Sequence, residues 1–171
     1  LTKVMMQTQW DSHIARLHSG LDLEVIAVQW CMNEILIGNA DIETIKGFLL
    51  ALKSKGETSE EVGALVAQMY QHCAPITISE RAVDTVGTGG DGAHTINIST
   101  TAAIIAAAAG VKVVKHGNRA ASSKSGAADL LEALGVNISL DGVGVAETFK
   151  QLGIGFCFAP VFYPAMRFAA P

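Results

Sequence analysis

AVDTVGTGGDGAHTINISTTAAIIAAAAGVKVVKHG, residues 82–117, decides the fold. AVDTV (82–86) is a short β-branched run, and six residues rich in glycine follow it. NISTTAAIIAAAAG (97–110) reads as a helix closed by Gly110, with alanines that allow close approach to a sheet. VKVVKHG (111–117) reads as a buried type of strand. Strand, loop, helix and strand in that order predict parallel strands joined by a helical crossover.

Downstream the alternation continues. SGAADLLEALG (125–135) predicts a helix, VNISL (136–140) a strand, 143–152 a helix and GIGFCFA (153–159) a strand, before Pro160 and Pro164 break the chain. Upstream the pattern is helical. DLEVIAVQWCMNEILIG (22–38) and DIETIKGFLLALKSKG (41–56) carry apolar residues at helical spacing and end at Gly38 and Gly56. Asp41 stands near the start of the second of these, and Thr58 with Glu61 forms a T-x-x-E capping box for a helix to about His72. Trp10 and Trp30 read as packing groups, and His13, His18 and His72 as surface or helix-end residues. The expected architecture is α/β: a small helical domain over 1–75, then a parallel-sheet domain over 76–171.

Half of the 171 residues are hydrophobic and 16% are charged. The mean hydropathy of +0.36 therefore predicts buried parallel strands and an extensive interface. The best membrane candidate, TAAIIAAAAGVKVV (101–114), is too short and carries a lysine, so no membrane partner is expected. No signal peptide is visible at the N-terminus. Cys31, Cys73 and Cys157 are scattered without metal or disulfide spacing, which fits reduced thiols and a cytoplasmic location. A formal net charge of −4 argues against nucleic acid as the main partner. That average hides a contrast. From Gly92 to Ala128 there is no acid, while Lys112, Lys115, Arg119, Lys124, His94 and His116 lie within the stretch. A basic island in an acidic chain predicts a local anion site.

GTGGDG (87–92) satisfies G-x-G-x-x-G, the dinucleotide fingerprint. That fold needs an acid about 20 residues further on, for the ribose hydroxyl. Here the second strand ends in KHGNRAASSKSG (115–126), which is basic and rich in hydroxyls. A phosphate loop of the Walker A type fails too, because Ala93 stands in its lysine position. Two loops at the carboxyl ends of adjacent parallel strands remain, the ordinary ligand position of open α/β sheets. Glycine amides and the start of the helix near Asn97 suit a diphosphate, while Lys115, Asn118, Arg119, Ser122 and Ser123 suit a second phosphate. Asp91 either shapes the turn or faces an intervening metal, water or sugar hydroxyl. Ser99 either caps the helix or ligates a metal. His116 either lines an acceptor pocket or binds backbone.

GTGGDGAHTINIST and KHGNRAASSKSGAADLLEALG, at this separation, resemble the anthranilate phosphoribosyltransferase family of tryptophan biosynthesis. The likeness extends over nearly the whole chain, through GIGFCFAPVFYPAMR (153–167). It implies a nucleoside phosphorylase/phosphoribosyltransferase type of fold, incomplete here, and homodimers formed through the helical domain. It implies transfer from 5-phosphoribosyl 1-diphosphate to anthranilate, with Mg²⁺. By motif position, the donor contacts are Gly87, Gly90, Asp91, Thr95, Asn97, Ile98, Ser99 and Thr100. They continue with Lys115, His116, Gly117, Asn118, Arg119, Ala120, Ala121, Ser122 and Ser123, with Ala127 at the edge. Ser99 is the implied Mg²⁺ ligand, Gly87 and Asn118 the anthranilate contacts, and Lys115 and Asn118 the catalytic pair. Departures exist. Family members are about twice as long, and their acidic Asp-Glu pair and an acceptor-binding arginine lie beyond the residues given. The reading therefore expects an N-terminal portion. Tyr163 stands where the family carries histidine. A related nucleoside phosphorylase, a non-catalytic binding member and a nicotinamide oxidoreductase are the rival readings.

Overall fold

The computed structural model describes residues 3–87, 96–120 and 125–169. It divides into two compact units, Leu1–Cys73 with Ala165–Pro171, and Ala74–Pro164.

The first unit is built from α1 (Lys3–His18), α2 (Val25–Leu36), α3 (Ile42–Lys55) and α4 (Ser59–Gln71). The three predicted helices form within a few residues of their expected bounds, and α1 precedes them. Trp10, Leu17, Val28, Cys31, Ile35 and Phe48 fill the core. The Trp10 ring lies 5.2 Å from Trp30 and 5.6 Å from Phe48, the tilted and edge-on geometries that aromatic quadrupoles favour. Asp41 caps α3 by accepting from the Thr44 N–H at 2.9 Å. The capping box of α4 is complete: Thr58 Oγ1 accepts from Glu61 N at 3.2 Å, and Glu61 Oε2 accepts from Thr58 N at 2.9 Å. Glu61 is fully buried and does more than cap. It also accepts from Leu23 N at 2.9 Å and from Lys55 Nζ at 2.8 Å, which ties the loop before α2 to the end of α3.

The second unit holds α5 (Ile98–Ala108), β1 (Val113–Gly117), α6 (Ala127–Ala133), α7 (Gly142–Leu152), β2 (Ile154–Phe158) and the short α8 (Ala159–Phe162). β1 and β2 pair in parallel, with Val113 opposite Ile154 and Gly117 opposite Phe158. The parallel reading is thus met. Two of the four expected strands differ. Within 82–86 pairing is confined to one bridge, Val83 to Val113, made by Val83 N to Lys112 O and Val114 N to Val83 O. Thr85 and Asp84 leave the ladder because their polar groups go to other partners, described below. VNISL (136–140) forms a turn instead of a strand. Asn137 Oδ1 accepts from Ser139 N at 3.0 Å, and this local bond competes with any ladder. The period of two in VNISL reflects Ile138, buried beside Ala128 and Leu131.

Candidate functional site

The carboxyl end of β1 and the first turn of α5 bring together residues far apart in sequence. Asn97 is the N-cap of α5: its Oδ1 accepts from Thr100 N at 3.2 Å. Ser99 is therefore not the cap. Its Oγ takes a 3.4 Å hydrogen bond from Lys115 Nζ, and its backbone oxygen accepts from Thr85 Oγ1 at 2.8 Å. Lys115 Nζ also donates to Thr85 O at 2.6 Å. Its side chain is buried, with 3% exposure. Burial lowers its pKa, and Asp84 opposes the shift. Lys115 thus links the residue two before Gly87 to the first turn of the helix beyond the glycine loop.

Thr100 is buried in the same turn, and its Oγ1 has no hydrogen-bond partner. Gly87 has open space where a side chain would stand. Ile98 is exposed on α5. The His116 N–H donates to Asp84 Oδ2 at 3.3 Å, while its ring meets Tyr163 edge-on at 5.6 Å. His116 Nε2 is buried without a hydrogen-bond partner. Gly117 is in close packing: a Cβ there would stand 2.7 Å from the Ala127 Cβ and 2.9 Å from the Phe156 ring.

Asn118 Oδ1 accepts from the Arg119 N–H at 2.8 Å. Arg119 points to α6, where it donates to Asp129 at 3.0 Å and to Glu132 at 2.8 and 3.2 Å. The acid-free stretch ends one residue short of Asp129, so a gap in the sequence is filled by the fold. Ala120 donates its N–H to Asp129 Oδ2 at 3.0 Å. Gly90, Asp91, Thr95, Ala121, Ser122 and Ser123 lie outside the described residues. Among the described residues, no group of three His, Cys, Asp or Glu could hold a metal ion. Ser99 supplies one oxygen, and an ammonium already faces it. No described helix is long and apolar enough to cross a membrane.

Sequence reasoning missed four polar residues here: Asp84, Thr85, Asp129 and Glu132. For Asp129 a signal existed. It stands three residues after Gly126, at capping-box spacing, and its Oδ2 accepts from Gly126 N at 2.8 Å.

Residues 79–171 match the glycosyl transferase family, a/b domain, and residues 12–73 match its helical bundle domain. A protein of Rhodococcus jostii (strain RHA1) called anthranilate phosphoribosyltransferase is 53% identical over 160 residues, 94% of this chain and 44% of that protein. One of the same name from Nocardia farcinica is 54% identical over 156 residues, 91% of this chain and 45% of its own. The crystal structure of anthranilate phosphoribosyltransferase from Thermus thermophilus matches with a TM-score of 0.84 and 43% identity, covering 93% of this chain and 49% of that one. The Saccharomyces cerevisiae enzyme, solved in complex with PRPP and Mg, matches with a TM-score of 0.84 and 27% identity over 95% of this chain and 50% of that one. The chain spans about half the length of the curated relatives it matches.

Proposed function

The chain belongs to the glycosyl transferase family, and from that premise we propose that the whole protein transfers the phosphoribosyl group of 5-phosphoribosyl 1-diphosphate to anthranilate. The products are N-(5-phosphoribosyl)anthranilate and pyrophosphate. The observation that carries the reading is the junction at Lys115, where Thr85, Ser99 and β1 meet beside both candidate loops. The names of the relatives support the substrates.

Displacement at the anomeric carbon passes through a state resembling an oxocarbenium ion, as in glycoside chemistry. The larger task is stabilising charge on the departing diphosphate. Lys115 has an ammonium with three donors, two of them used on Thr85 and Ser99, and the third is assigned to the leaving group. Thr100 Oγ1, which has no hydrogen-bond partner, adds a donor in the first turn of α5. The aryl amine of anthranilate is uncharged near pH 7 and nucleophilic, so no strong general base is needed. Asn118 positions it through its amide group. Ser99 is the described residue that would offer an oxygen to Mg²⁺ beside the donor phosphates. The ion would neutralise charge on the diphosphate when bound. The helical unit is assigned to homodimer formation, and the protein to the cytoplasm.

Anthranilate fluorescence, followed with the whole protein, 5-phosphoribosyl 1-diphosphate and Mg²⁺, tests the reading. Loss of emission that requires both donor and protein is expected. Unchanged emission, with phosphorolysis of a nucleoside by the same sample, transfers the assignment to the phosphorylase branch.

A further inference from the structure

Arg119 lies in the basic loop after β1, yet its guanidinium is already engaged. Nη1 donates to Asp129 Oδ1 at 3.0 Å and to Glu132 Oε2 at 2.8 Å, and Nη2 donates to Glu132 Oε1 at 3.2 Å. The same group stands 5.6 Å from the centre of the Phe158 ring. Asp129 uses its second oxygen differently. Oδ2 accepts from Ala120 N at 3.0 Å and from Gly126 N at 2.8 Å, residues on either side of 121–125. Asn118 O accepts from Ala128 N at 3.1 Å just outside them. Gly126 approaches the backbone of Arg119 and Ala120 so closely that no Cβ fits. One carboxylate therefore fastens both sides of the loop's base, and the arginine fastens that carboxylate.

Charge decides between a phosphate ligand and a brace. One guanidinium with two carboxylates carries a net negative charge, so the cluster repels a phosphate. Swinging Arg119 away would also leave Asp129 and Glu132 as like charges three residues apart on α6. A bidentate fork fixed over an aromatic face is the arrangement in which arginine holds structure. The amides of Ala120 and Gly126, with Arg119, hold the Asp129 carboxyl below the usual carboxylate range.

We infer that Asp129 and Arg119 are positioning residues that clamp the base of the loop after β1, and that Arg119 does not touch the donor phosphates. The functional part rests on the phosphoribosyl reading; the clamp itself does not.

The test uses the whole protein and its Asp129→Asn, Arg119→Gln and double variants. Each single change is expected to raise the donor KM by about tenfold or more, through displacement of the loop residues. The anthranilate KM and kcat should stay within about twofold. The double variant should be no worse than Asp129→Asn alone, because the two residues act as one device. Additive losses, or a donor defect in Arg119→Gln that Asp129→Asn lacks, would put Arg119 on the phosphate and overturn the inference. Amide exchange supplies a readout independent of turnover. Exchange at Ala120 and Gly126 should accelerate about tenfold or more in Asp129→Asn. Unchanged exchange there overturns the clamp, whereas an inactive parent protein with accelerated exchange overturns the phosphoribosyl reading alone.

Discussion

At the scale of single residues, Lys115 carries the sharpest consequence. Its ammonium is buried, which lowers its pKa from the ordinary lysine value of about 10.4. If its charge stabilises the departing diphosphate, kcat/KM for the donor falls as Lys115 loses its proton. The alkaline limb of the pH profile is therefore expected below the ordinary lysine value, and Lys115→Arg should move it upward. A limb at or above about 10.4 in the parent removes Lys115 from that role. Lys115→Ala is expected to lower kcat/KM by ~10²-fold or more, the loss typical of one charged stabiliser. Ser99→Ala should displace the Mg²⁺ titration, and an identical titration confines Ser99 to its hydrogen bonds with Lys115 and Thr85. The residue types of this site were legible in the sequence, because a glycine loop, a helix start and an acid-free stretch each have local signatures. Their pairings were not. Lys115 to Thr85 spans 30 residues and Arg119 to Glu132 spans 13, so composition counted Arg119 as free positive charge.

At the scale of elements, the helices were legible and the strands were half legible. Caps are local chemistry, so Asp41 and the Thr58–Glu61 box identify their helices without the rest of the chain. A strand depends on a partner. VNISL has the alternation of a strand, but Asn137 closes its own turn and Ile138 reaches the core by packing. Packing between β1 and α6 makes a separate expectation. Gly117→Ala places a methyl against Ala127 and Phe156 and should cost about 1–3 kcal/mol, read by chemical denaturation. Adding Ala127→Gly removes the nearer contact and should recover part of that loss. No recovery in the double variant would mean that the Phe156 ring alone sets the limit.

At the scale of the whole molecule, the first unit includes Ala165–Pro171 as well as Leu1–Cys73, a return that no local pattern announces. Phe168 is its visible reason. Its ring stands where a side chain on Gly38 would fall, and Gly38 has a positive φ of 76°. Ala169 packs on the core of the same unit. Both tryptophans, Trp10 and Trp30, belong to this unit, so tryptophan emission reports its unfolding. Glu61 is the group whose removal should be felt most. Desolvation raises its pKa, but the bonds from Lys55, Leu23 and Thr58 outweigh that and leave it below the ordinary value. A carboxylate lowered in the folded state contributes stability above its unfolded pKa of about 4.3, and loses it as pH falls through the folded value. Glu61→Gln should therefore lower the tryptophan-monitored stability at pH 7 by on the order of 2–3 kcal/mol, since a buried ion pair is broken and Lys55 keeps the exposed Asp22 as its charged partner, with the Gly56 carbonyl. The difference between parent and variant should shrink as the pH drops below about 4. A gap that stays constant into acid would assign the loss to shape alone and remove charge from the role of Glu61.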